Sequence, residues 1–161
     1  MAIEEDVIRG CAERGVTLSV AESCTGGLIG SLLVDIPGSS RVFSGGIVAY
    51  HNRPKQQLLG VPAELLQHGG SVSEPAVTVM AEGARRAFGT TLALGSSGIA
   101  GPTGGSPEKP MGTVYVALAA PEGTQVERFL FPSTRRAYKL QVAEAALGLV
   151  IAWLAGSRAS G

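Results

Sequence analysis

The sequence predicts an α/β fold: a three-layer α/β/α sandwich around a mixed sheet that ends in an antiparallel hairpin. Three observations predict it. Short apolar runs alternate with segments of helical periodicity over the first two-thirds of the chain. Late in the chain, Pro121-Glu122-Gly123 joins two strand-like runs closely enough to make a hairpin. Glycine supplies 23 of 161 residues, roughly twice its ordinary share, and it gathers in short groups between the periodic segments.

The elements follow in order. Ile3, Val7, Ile8 and Cys11 recur at helical spacing, and Gly15 ends that helix. Thr17 to Ala21 reads as a buried strand. Leu28, Leu32, Leu33 and Ile36 mark a helix that Pro37-Gly38 stops. A second strand is expected over Gly46 to Tyr50. Pro54 then suits the first turn of a helix running to Gly60, and Pro62 opens another that Gly69 closes. Ser73 is placed to cap a helix with Val77, Met80, Ala81, Ala84 and Phe88 on one face. Thr91 to Ser96 is the third strand, and Gly98 to Gly112 is nearly all loop. Thr113 to Ala119 and Gln125 to Phe131 form the hairpin. Ser133 or Thr134 can cap a last helix whose apolar face holds Leu140, Ala143, Leu147, Val150, Ile151 and Leu154, with Trp153 in its core. One domain over 1–156 is expected, with a polar tail, 157–161, that frays.

Composition narrows function. Thirteen basic and thirteen acidic side chains cancel, so the chain lacks the positive field that non-specific nucleic-acid binding needs. The apolar run Ala145 to Ala155 falls short of the ~20 residues that cross a bilayer, and the acidic start Met-Ala-Ile-Glu-Glu-Asp is no targeting signal. Cys11 and Cys24 match no metal-ligand or redox spacing. The expectation is a reduced, cytoplasmic protein with no nucleic-acid partner, no membrane and no metal.

Small hydroxyls and glycines cluster in three places. Ser23, Cys24, Thr25, Gly26 and Gly27 follow a strand and open a helix, where free amides and the helix dipole favour an anion; an ordinary cap and turn is the equal alternative. Ser97, Gly98 and Gly101 follow the third strand, where ligands settle in open α/β sheets; a disordered loop is the alternative. The third runs from Pro37 to Lys55 and includes Ser39, Ser40 and Tyr50. Lys55 stands at a helix start, where the dipole and partial burial lower an ammonium's pKa, so it could take a proton from a serine; a surface lysine is the plainer reading. Cys24 is a competing nucleophile. Arg135 and Arg136 oppose the dipole of the last helix, which points to an anion-binding role.

Six runs together resemble the C-terminal domain of CinA, the competence/damage-inducible protein, and the stand-alone nicotinamide-nucleotide amidohydrolases. They are Ala21–Gly27, Gly46–Lys55, Leu59–Val61, Ser71–Glu74, Gly98–Pro102 and Glu108–Val114. Members carry threonine at Ser97 and Gly-Asp-Arg at Ser133-Thr134-Arg135. The resemblance implies an α/β/α sandwich that deamidates nicotinamide mononucleotide without cofactor or metal. It implies Ser40 as nucleophile with Tyr50 and Lys55 as its partners. Phosphate and ribose would lie against Ser23, Cys24, Thr25, Gly26, Gly27, Ser97, Gly98, Gly101 and Arg135. A small-molecule nucleotide is the expected partner and a homodimer the expected assembly. The other reading is a non-catalytic module that binds a nucleotide or sugar phosphate through the same loops.

Overall fold

A computed structural model describes residues 2–159, with side chains through Gly156. Its five strands form one sheet in the order β2-β1-β3-β4-β5. They are β1 (Leu18–Glu22), β2 (Phe43–Val48), β3 (Leu92–Gly98), β4 (Thr113–Ala120) and β5 (Gly123–Leu130). The strand β1 runs parallel to both β2 and β3, whereas β3/β4 and β4/β5 are antiparallel. The mixed sheet and the hairpin are therefore as expected.

Two helical layers cover the sheet. On one face lie α1 (Ile3–Glu13), α2 (Leu28–Val34) and α6 (Arg135–Ala159), whose apolar sides join Leu18, Val20, Leu92, Leu94, Val116 and Leu118 in one core. On the other lie α3 (Asn52–Leu59), α4 (Ala63–Leu66) and α5 (Glu74–Phe88), packed on Ala21, Ala93, Ala117 and Ala119. Small residues on that face let α5 sit close to the strands. All five residues of β1 are buried because helices cover both faces of a parallel strand. Each fully buried leucine contributes ~1.5–3 kcal/mol.

Local chemistry explains most boundaries. Ser73 caps α5 by accepting a hydrogen bond from the Ala76 amide at 3.2 Å, and Gly89 ends that helix at φ 63°. Three expectations shift. The second strand lies at Phe43–Val48 instead of Gly46–Tyr50, because β1 pairs with Phe43 at its start and with Val48 at its end. Tyr50 therefore falls beyond the strand. Leu140 is exposed, because the face of α6 is set by Tyr138, which is fully buried and donates to the Thr113 carbonyl at 3.0 Å. Trp153 sits at the edge of the core, half-buried, with its indole N–H on Glu122 and Arg14 over its ring.

The loop from Ile99 to Gly112 is ordered by specific bonds. Ile99 donates to Thr113 at 2.8 Å and Gly112 to Ile99 at 2.8 Å. Lys109 Nζ reaches the Val72 carbonyl at 2.5 Å, and Arg128 donates to the Glu108 carbonyl at 2.7 Å. The Glu108-Lys109 segment is thus an anchor for this loop. At the other end of the chain, the expected frayed tail begins inside α6, whose backbone is helical through residue 159; residues 160 and 161 lie outside the described residues.

The helix α6 is long and apolar enough to cross a membrane by length and composition. Here its apolar face, Tyr138, Val142, Ala146, Leu147 and Val150 among it, is spent on the core.

The contact between α3 and α5 offers a clean test of packing. Gly83 lies where a β-carbon would overlap the Leu59 backbone carbonyl, which cannot swing away. Gly83→Ala should lower unfolding stability by ~1–3 kcal/mol, read as a lower urea midpoint at unchanged m.

Candidate functional site

The chain leaves β1 through α2 to β2 on one side of it, then returns through α3, α4 and α5 to β3 on the other. The carboxyl ends of β1 and β3 therefore flank a topological switch point, where an open α/β sheet leaves a crevice. A cleft of about 480 Å³ lies there. It is lined by Ser23 and Cys24 after β1, by Tyr50, His51, Asn52 and Lys55 after β2, and by Ser97, Gly98 and Gly101 from β3 and its loop. Ser71, Val72, Ile99, Ala100, Thr103 and Arg135 complete the wall. Eight of the residues singled out from sequence thus share one cleft.

Lys55 is the most unusual of them. It is 3% exposed and lies in the first turn of α3. Its Nζ donates to the Tyr50 carbonyl at 3.3 Å. No acidic side chain lines the cleft. Burial pushes the Lys55 pKa down from its ordinary value, with Cys24 opposing weakly, and the start of a helix disfavours an ammonium further. An amine in this setting can accept a proton.

Arg135, at the first position of α6, reaches across the cleft. It donates to the Tyr50 hydroxyl at 2.9 Å and to the Gly101 carbonyl. Both partners are neutral, so its charge stays available to an anion. Tyr50 is more than half exposed. Its carbonyl holds Lys55 while its phenol holds Arg135, which ties the two cations of the cleft to one residue. Ser97 is buried and donates to the Ser71 carbonyl at 2.7 Å. Gly98 is needed for packing: a β-carbon there would overlap the Tyr138 hydroxyl.

Two groups of expected site residues lie outside this cleft. The first concerns the start of α2. Its amides are already taken by Glu22, whose carboxylate accepts from Gly27 N at 3.2 Å, Ile29 N at 2.9 Å and Gly30 N at 3.0 Å. Thr25 Oγ1 donates to the same carboxylate at 2.5 Å and is fully buried. Thr25, Gly26 and Gly27 do not line the cleft, and an added phosphate would meet a buried negative charge. Ser23 and Cys24 remain facing the cleft.

The second is Ser40. It is exposed, in a 3₁₀ turn (Ser39–Arg41) that precedes β2, whereas Tyr50 and Lys55 follow β2. Because β2 runs parallel to β1, Ser40 stands at the amino end of the strands and the cleft at their carboxyl end. Six residues of strand separate them, roughly 17–20 Å at about 3.3 Å per residue. Ser40 does not line the cleft. The serine of this chain that shares the cleft with Lys55 at the end of β1 is Ser23.

Cys24 lines the cleft but is only 7% exposed. Burial pushes its pKa up to about 11, which leaves almost no thiolate near neutral pH. His51, Asn52, Ser71, Val72 and Thr103 were not anticipated as cleft residues. Ser71 and Val72 fall in the Ser71–Glu74 run just before the Ser73 cap, His51 and Asn52 at the start of α3, and Thr103 in the loop after β3. Among the described residues no group of three or more His, Cys, Asp or Glu could hold a metal ion.

Fold and cleft together define a three-layer α/β/α protein with a cationic, hydroxyl-rich crevice at the carboxyl ends of its parallel strands. The chain belongs to the CinA C-terminal domain family, whose model matches residues 1–154. A CinA-like protein from Gemmatimonas aurantiaca is 51% identical over 137 residues, covering 85% of this chain and 32% of that protein. Another from Parasynechococcus marenigrum is 58% identical over 117 residues, covering 71% and 28%. The chain thus spans about a third of the length of the curated relatives it matches. Among solved structures, competence/damage inducible protein CihA from Agrobacterium tumefaciens superposes with TM-score 0.87 at 38% identity, covering 93% of this chain and 92% of that one. The competence damage-inducible protein A from Klebsiella pneumoniae gives 0.91 at 31%, covering 95% of each.

Two outcomes follow from the buried groups. Neither Cys11 nor Cys24 should react with a thiol reagent at pH 7.5 until the protein unfolds, since burial raises both to about 11; rapid labelling of the native protein would contradict this. For Lys55 the folded pKa lies below the unfolded one, so the unfolded chain binds more protons between the two values. Its contribution to stability therefore rises with pH across that window and is lost below it. The stability difference between wild type and Lys55→Met should drift in favour of wild type from pH 7 to pH 10 in urea titrations.

Proposed function

We propose that the chain is an amidohydrolase that converts nicotinamide mononucleotide to nicotinic acid mononucleotide and ammonia, in cytoplasmic pyridine nucleotide salvage. The family resemblance implies this chemistry. The observation that carries it for this chain is Lys55, a buried amine with no acidic partner, in a cleft shared with Ser23.

In this reading Lys55, neutral, takes the Ser23 proton as Ser23 Oγ bonds to the amide carbon. The protonated lysine then stands beside the developing oxyanion. It returns the proton to nitrogen as the C–N bond breaks and ammonia leaves. Water hydrolyses the ester by the same base, restoring Ser23. Tyr50 keeps Lys55 and Arg135 in place. Arg135 is the cation for the phosphate, and the wall from Ser97 to Gly101 takes the ribose.

Ammonia release is the direct assay. Ser23→Ala and Lys55→Met should each lower kcat/KM by at least about 10³-fold, with the double variant hardly worse. Ser40→Ala should stay within about threefold of wild type, because no term of the mechanism reaches it. The rate should rise with pH as Lys55 deprotonates. The nucleoside lacking phosphate should be at least ~30-fold poorer, the loss of a charge-assisted contact. Binding of the nucleotide with no ammonia released would favour the non-catalytic module, and full activity of Ser23→Ala would remove the serine mechanism.

A further inference from the structure

The carboxylate of Glu22 is 1% exposed yet lies one residue before Ser23. It is the last residue of β1 and is not among the residues that line the cleft. Oxygen Oε1 accepts from Thr25 Oγ1, Gly27 N and Ile29 N, and Oε2 accepts from Gly30 N. These donors belong to the turn after Ser23 and to the first turn of α2. The turn is also held by Ser23 N on the Ser96 carbonyl at 3.1 Å and by Gly26 N on the Ser23 carbonyl at 3.1 Å. Thr25 Oγ1 also lies 3.1 Å from Ser96 Oγ, which couples the turn to β3.

No polar side chain caps α2, because its N-cap position is Gly27 at φ 103°. Glu22 does this work from the preceding strand. A β-carbon at Gly30 would crowd the Phe43 ring at 3.3 Å while meeting the Glu22 carboxylate only at ordinary contact distance. The amide cradle that would suit a ligand anion therefore holds an internal one.

We infer that Glu22 is a positioning residue: its buried carboxylate locks the Ser23–Gly27 turn to α2 and to β3, and so aims the Ser23 hydroxyl at Lys55. The inference rests on the amidase reading for its kinetic consequence. Glu22 neither touches substrate nor exchanges a proton with it. A reactive oxygen displaced by about 1 Å can lose ~10²-fold in rate with little change in binding, so the signature is a fall in kcat at constant KM.

The experiment compares the whole chain with Glu22→Gln, which keeps the shape but turns one accepting oxygen into a donor. Expected are a kcat lower by about 10²-fold, a KM within about threefold, and faster amide hydrogen exchange at Gly27, Ile29 and Gly30 while β3 keeps its protection. Thr25→Val, used also if Glu22→Gln does not fold, should lose about tenfold in kcat, and Thr25→Ser should restore it. An unchanged kcat per folded molecule, or an equal loss in Thr25→Ser and Thr25→Val, overturns the inference. If wild type releases no ammonia, the amidase reading is what fails. A crystal structure of the variant then decides the positioning role: Ser23 Oγ unmoved overturns it, and a displaced turn supports it.

Discussion

A carboxylate taken out of water costs several kcal/mol unless its oxygens find donors. At Glu22 three amides and a hydroxyl supply them, and the positive end of α2 adds to the attraction. That one cluster explains why an acid can end the most buried strand of the sheet. It also explains why a helix without a capping side chain begins where it does. The turn between strand and helix is then held from both ends, and the cleft opens directly above it. Replacing the carboxylate with an apolar group would leave three amides without partners in the interior.

Charge is segregated within a chain whose net charge is zero. The cleft at the switch point holds Lys55 and Arg135 and no acidic side chain. The larger groove at the opposite end of the sheet, about 650 Å³ between α5 and the β4–β5 turn, mixes Arg85 and Arg86 with Glu82 and Glu122. Volume therefore favours one end of the molecule and chemistry the other. Of these two, it is the smaller cleft that combines a desolvated amine, buried hydroxyls and a guanidinium held by neutral oxygens. The order of the strands dictates this, because only at the carboxyl ends of β1 and β3 do adjacent connections leave in opposite directions.

Periodicity made the layers, the hairpin and the long α5 and α6 legible, since each depends on a local pattern of apolar spacing. What it missed were registers set by partners distant in sequence. Tyr50 was read inside β2 because Ile47, Val48 and Ala49 continue an apolar run; pairing with β1 ends the strand at Val48. The serine pair at Ser39-Ser40 lies close to Lys55 in sequence, yet a whole strand intervenes and carries them to opposite ends of the sheet. Glu22 was visible as an acid before a glycine-rich helix start, but its role depends on a buried conformation that spacing does not encode. A helix-start position singled out Lys55 and the family likeness the fold, while the geometry of this chain brings Ser23, and not Ser40, to the cleft that holds Lys55.

The same reasoning separates what Tyr50 does from what its residue type suggests. A phenol near a lysine invites a proton-transfer role. Here, however, the Tyr50 hydroxyl accepts a hydrogen bond from Arg135, and it is the Tyr50 carbonyl that meets Lys55. Carbonyl contact orients an amine without competing for its proton, because a carbonyl is far too weak a base to take it. Contact through the phenol links the wall at Gly101 to the end of β2 by way of Arg135. An anionic ligand at Arg135 would therefore act on the same residue that orients the lysine. Tyr50 thus joins the two cations, Arg135 through its phenol and Lys55 through its backbone carbonyl, and the site needs no acidic group to hold them in place.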